Sequence, residues 1–430
     1  MPALDPTRAV ASNASPIDTR WRLARLLLAP HRLAFAAAAL LLAASALWWA
    51  GVLATRTAGV ALPWAVPAPV AHGLLMALGF MPLFFIGFLF TAGPRWLGLP
   101  EVNAVSLRWP VAGMVGGWAL AMPGFHFSAG LAAGGVAAVA LGWSAAWWRF
   151  VQLLRASRAP DKLHATLAAV AGGVGVAALW LGVAALAAGA ATGVRAATQL
   201  ALWGFLAPVF VTVSHRMLPF FTASAVPSVA AWRPNALLGL MLAALVAELP
   251  FALAELWWWP LPAAARVVQA ALEAPTALLL LWLALRWGLM QSLKIRLLAM
   301  LHLGFVWLGL AFALAAVSHA LMAWRGPDHS LGLAPLHALT MGYLGSTVLA
   351  MATRVTAGHS GRPLAADDLA WALFRVLQVA VLLRLASVGW PQQAAVLLLA
   401  TVAAWVLAMV GWAWRYGGWL GRPRADGRPG

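Results

Sequence analysis

Apolar runs of membrane-crossing length recur along the whole chain, with only short polar loops between them. A helix needs about 20 mainly apolar residues to cross the hydrocarbon layer of a bilayer. On that scale twelve spans are predicted, at 33–53, 69–91, 109–125, 128–150, 164–187, 197–219, 235–255, 264–287, 297–321, 333–357, 370–390 and 394–416. The expected fold class is therefore all-α, a polytopic membrane bundle of about twelve transmembrane helices. Residues 1–32 and 417–430 read as basic tails around a membrane domain at 33–416. The first tail lacks the apolar stretch and small-residue cleavage site of a signal peptide, so it is expected to be retained.

A formal charge of +17 would suggest nucleic acid in a soluble protein, but here the basic residues flank the apolar runs. With a cytoplasmic N-terminus, twenty-three Lys and Arg fall on the inner side. Four fall outside (Arg56, Arg195, Arg266, Arg325), and Arg384 lies within a span. That bias predicts both termini in the cytoplasm and accounts for the charge without a nucleic-acid partner. The chain has no cysteine, which excludes disulfides, thiolate metal sites and c-type haem attachment. Any metal must then be held by His, Met, carboxylate or backbone groups.

The histidines sort by depth. His337 and His359 are 22 residues apart, about 33 Å along a helix, so they lie at opposite membrane faces and cannot share a metal. An outer group holds His72, His319 and His337, with His126 and His329 in loops. An inner group holds His215, His302 and His359, with His164 and His31 nearby. The segment from His72 shadows that from His337: His72, Leu74, Met76, Thr91, Ala92 and Gly93 match His337, Leu339, Met341, Thr356, Ala357 and Gly358. His and Met four residues apart share a helix face, and two such helices could bring two imidazoles to one haem iron.

Glu248 and Glu273 lie inside spans, each two residues before a proline, and Arg384 falls at similar depth. An unpaired charge costs about 2.5 to 3.5 kcal/mol or more at mid-bilayer, so at least one Glu–Arg pair is expected. The prolines are expected to kink these helices.

HALTMGYLGSTVLAMATRVTAGHSGRPL, at 337–364, resembles the C-terminal signature of the NnrS family of bacterial membrane proteins. SHRMLPFFT at 214–222, LHLGFVWLGLAFAL at 301–314 and GFLFTAGPRWLG at 87–98 resemble further segments of that family. The resemblance implies a multi-pass protein of the bacterial inner (plasma) membrane. It further implies haem b and copper, and a role in nitric oxide metabolism or resistance to nitrosative stress, often beside denitrification. Its motif positions fall on His72, His215, Arg216, Pro219, His302, His337, Arg354, His359, Gly361 and Arg362. The family's second span reads His-x-His-Glu-Met, whereas here Leu74 and Leu75 stand at the second His and the Glu. A site built on those two side chains is absent or altered, which touches copper more than haem.

From depth, an outer haem is expected on His72 and His337, with Met76 beside them, His319 as a substitute ligand and Arg384 for a propionate. An inner metal site is expected on His215, His302 and His359, with Arg354 and Arg362 for anionic groups. The redox partner is unknown. A proton-coupled transporter is the alternative, since intramembrane carboxylates and broken helices suit one. A haem–copper oxidase-like subunit ranks last, because the chain has no adjacent histidines and only Tyr343 and Tyr416 as tyrosines.

Overall fold

The computed structural model describes residues 19–428, all of them in helices and connecting segments. Arg8 and most of the first tail lie outside the described residues. The helices are α1 (Pro30–Thr57), α2 (Ala68–Leu78), α3 (Met81–Trp96), α4 (Arg108–Phe127), α5 (Ala129–Ala156), α6 (Leu163–Ala187), α7 (Ala191–Ala201) and α8 (Ala207–Ala225). They continue as α9 (Asn235–Trp257), α10 (Ala263–Arg286), the single turn α11 (Leu289–Ser292), α12 (Arg296–Arg325), α13 (Ala334–His337), α14 (Ser346–His359), α15 (Asp368–Gly389) and α16 (Ala394–Leu420). Two π-helical segments, Leu202–Leu206 and Ala338–Gly345, join α7 to α8 and α13 to α14.

Ten helices among the described residues are long and apolar enough to cross a membrane. All twelve expected segments are helical, but α4 and the run from α13 to α14 fall outside those ten. Packing holds α4 in place. It lies against α5 along glycines, and a Cβ on Gly117 would come within 2.5 Å of the Gly135 carbonyl oxygen. Helices in lipid gain little from apolarity and associate through such close backbone approach.

The second span is broken between α2 and α3. Pro82 has no N–H, so the Leu78 carbonyl four residues earlier loses its helical donor. The fully buried Trp118 of α4 donates its indole N–H to that carbonyl at 3.2 Å. Trp118→Phe leaves a buried acceptor unpaired and should cost about 1–3 kcal/mol. A lowered Tm of the purified protein would show it, and an unchanged Tm would mean the carbonyl has another donor.

Both described chain ends meet at one end of the bundle. The Arg22 N–H donates to the Gly421 carbonyl at 2.9 Å. Arg32, almost fully buried, donates to the carbonyls of Leu420 at 3.0 Å and Arg422 at 2.8 Å. Asp367 caps α15 at the same end, accepting from the Ala370 N–H at 2.8 Å and from Arg415 at 2.5 Å. Partial burial pushes the Asp367 carboxyl up, but these bonds outweigh it and hold it below the ordinary aspartate value. Its contribution is therefore present above the unfolded-chain aspartate pKa and is lost as pH falls through the lowered folded value. Asp367→Ala should cost about 1 kcal/mol at neutral pH. Thermal unfolding should show that difference shrinking in acid.

Candidate functional site

Three polar groups lie within the bundle. The first is at the end opposite the chain termini. His72, on α2, stacks on Trp49 of α1 with ring centroids 3.9 Å apart, and its Nδ1 is buried without a hydrogen-bond partner. His337 closes α13, and its Nδ1 lies 2.9 Å from the Leu333 carbonyl oxygen. A carbonyl only accepts, so Nδ1 carries the proton and Nε2 presents its lone pair. Metal-bound histidines are commonly oriented by such a bond. His72, His337 and Arg384 are close enough to act on one another electrostatically. His72 and His337 make no direct hydrogen bond or ring contact with one another among the described residues; each is held by its own partner, Trp49 and Leu333. Met76, one turn below His72, packs on the core. Leu74 and Leu75 are fully buried core residues.

The π-helical segment begins immediately after His337. Such segments often mark functional sites, because one extra residue per turn re-aims side chains. Within it Tyr343 is fully buried, with its hydroxyl 3.0 Å from that of Ser214.

The second group lies toward the chain termini and holds the residues expected at an inner metal site. His215, His302 and His359 each face a different partner. No set of three His, Cys, Asp or Glu side chains that could hold a metal ion occurs among the described residues. His215 Nε2 lies 3.1 Å from the Pro234 carbonyl oxygen and its Nδ1 lies 3.0 Å from His164 Nε2. The carbonyl fixes the protons in sequence: His215 donates from Nε2, and His164 donates from Nε2 to His215 Nδ1. Both nitrogens of His215 are thereby used. His164 Nδ1 is left as a bare lone pair, buried and unpartnered. The Thr222 hydroxyl, 2.9 Å from His302 Nε2, donates to the Leu218 carbonyl and so accepts from His302. That leaves His302 Nδ1 a second buried lone pair. His359 packs against His31 of α1, ring centroids 4.4 Å apart, beside Arg32 and Arg424. His164 and His31 sat near the inner group in the sequence, but their pairing runs between helices and carries no local signal. Arg354 lies over the Phe221 ring at 3.8 Å, and Arg362 over Trp419 at 4.3 Å with one buried N–H unpartnered.

The third group corrects the expected Glu–Arg384 pair. Glu273 is fully buried and both its carboxylate oxygens lie within 2.9 Å of His319 Nδ1. Glu248 reaches Glu273 from α9. Arg384 instead donates to the Ser387 hydroxyl at 2.9 Å. The depth estimate placed Arg384 correctly but could not say which helices are neighbours: α10 packs on α12, which carries His319. The helices α9 and α10 continue through Pro250 and Pro275. His319 is tied to this group rather than to His72 and His337. His126 accepts from the Trp48 indole at 2.9 Å and sits 3.0 Å from the Pro63 carbonyl oxygen, a structural role.

A cavity of about 40 Å³ lies between α1, α3, α8 and α14, with Phe35, Phe84, Phe85, Phe88 and Phe210 in its wall. Its one polar lining side chain is Thr347, whose buried hydroxyl is unpartnered. No curated protein matches the chain. The NnrS protein family matches it over residues 25–424, which takes in all three polar groups. With the apolar helices and that match in hand, this membrane protein belongs to the NnrS family.

Proposed function

We propose that the chain is an integral haem-binding protein of the bacterial plasma membrane, with both ends cytoplasmic, twelve crossings and a role in nitric oxide handling. The observation that carries this is His337. Its Nδ1–H is fixed on the Leu333 carbonyl, which leaves the Nε2 lone pair free to bind a metal, with His72 and Arg384 near enough to act on it electrostatically. The residues fit a b-type haem: two neutral imidazoles for the iron, and a guanidinium for a propionate. Bound there, haem would supply a redox-active iron. The chain holds the two imidazoles on separate helices, with the His72 ring stacked flat on Trp49.

The phenylalanine-lined cavity supports a small, uncharged ligand. It exceeds the volume of about 10–15 Å³ needed for one water, yet water needs two to four polar partners. Thr347 alone lines it with a hydroxyl. Copper is assigned no site, because Leu74 and Leu75 stand in the core where a His and a Glu would be needed.

Haem and copper assays on protein purified from haem-replete cells test the proposal. Haem near one per chain with little copper is the expected result. Protein free of haem would favour a proton-coupled transporter, the reading that the carboxyl groups in α9 and α10 support.

A further inference from the structure

The haem proposal leaves Glu248, Glu273 and His319 without a role. They lie in the wedge of α9, α10 and α12, while His72 and His337 are on α2 and α13. Glu273 takes the His319 Nδ1–H on its carboxylate oxygens, 2.9 and 2.8 Å away. Glu248, on α9, is close enough to act electrostatically on the same carboxyl. Two close carboxylates cannot both ionise in a buried site, so one of the pair carries a proton. With His319 neutral the cluster carries one negative charge. One more proton, on His319 Nε2, makes it neutral. The cluster thus has two states that differ by one proton, and the low-dielectric surroundings favour the neutral one over the charged one.

A line of polar side chains runs from this cluster toward the end of the bundle away from the chain termini. Gln269 stands one turn above Glu273 on the same face of α10. Arg266, one turn further and 1% exposed, donates to Gln269 at 2.9 Å and also bonds Glu255 of α9. The Nε and Nη2 of Arg266 are buried with no protein acceptor, two donors that call for water or another polar ligand along the string. Glu255 and His319 retain 30% and 16% of their side-chain surface. The charged and titratable groups facing the cluster are thus Glu255 from α9, Arg266 from α10 and His319 from α12. Asp328 and His329, after α12, are exposed.

We propose that Glu248, Glu273 and His319 form a proton-exchange site within the membrane, loaded from the end of the bundle opposite the chain termini along Glu255, Arg266 and Gln269. The ligand is a proton: hydronium gives it to His319 Nε2, water leaves, and release reverses the step. The site stands whether or not haem binds.

Infrared spectroscopy of the wild-type protein in lipid nanodiscs tests this directly. A protonated-carboxyl C=O band should be present, shift on transfer to D2O, and be lost in Glu248→Gln or Glu273→Gln. Gln269→Leu should slow the shift by about tenfold, the factor for a barrier higher by about 1.4 kcal/mol. Wild-type protein with no such band, or with one that never shifts in D2O, would overturn the proposal even if neither glutamine variant folds. A shift as fast in Gln269→Leu as in wild type would overturn the route. Haem content, read separately, does not enter the result.

Discussion

If the proposed haem is bound, His337→Ala should remove or displace the Soret band of the purified protein, while His359→Ala should leave it in place. The two residues bracket one helical run, α13 to α14 with its π segment, yet they have different surroundings. His337 has its Nδ1 proton fixed by Leu333, with His72 and Arg384 close by. His359 packs ring to ring on His31 among arginines at the other end. Loss of a partner that merely orients a metal ligand costs about 10- to 100-fold in affinity. Loss of the ligand itself should cost at least as much and empty the site at ordinary haem concentrations. The visible spectrum and the haem-to-protein ratio of the two variants give the answer. Loss of haem in His359→Ala, with His337→Ala intact, would move the site to the end holding the chain termini.

Gly135→Val should sharply reduce the yield of folded protein, whereas Gly134→Val should be nearly silent. A Cβ at Gly135 would come within 2.5 Å of the Gly117 carbonyl oxygen and 2.6 Å of the Ala121 nitrogen. These are backbone atoms of α4 and cannot rotate away. At Gly134 nothing lies within 4 Å. Overpacking typically costs about 1–3 kcal/mol, more where backbone must shift. Here the two helices must separate, and α4 is not among the ten helices long and apolar enough to cross a membrane. Size-exclusion profiles and thermal unfolding of the two variants make the comparison. Equal behaviour would mean that the α4–α5 seam does not hold α4.

Membrane helices were legible in the sequence because hydropathy is additive along a segment and needs no knowledge of neighbours. Every expected span is helical, and α4, the shortest expected span, is one of two that fall outside the ten helices long and apolar enough to cross a membrane. Depth was read for the same reason: His72 near the start of α2 and His337 at the end of α13 both lie toward the end of the bundle opposite the chain termini. Lateral position was not legible. Glu273 and Arg384 sit at similar depth, but α10 packs on α12, so His319 takes the carboxylate. His215, His302 and His359 share an end of the bundle, yet His164, Thr222 and His31 respectively occupy their neighbourhoods. The π segment after His337 left no trace in the apolar pattern, since inserting one residue in a turn of an all-apolar helix changes which side chain faces inward without changing composition.

The visible spectrum of the dithionite-reduced protein, with and without nitric oxide, tests the haem assignment most directly. A b-type spectrum is predicted, lost with His337. A shift on adding the gas would mean that one imidazole yields its place to it, and an unshifted spectrum that both histidines stay bound and the iron passes electrons. Protein made with haem available that shows no haem band would contradict the account.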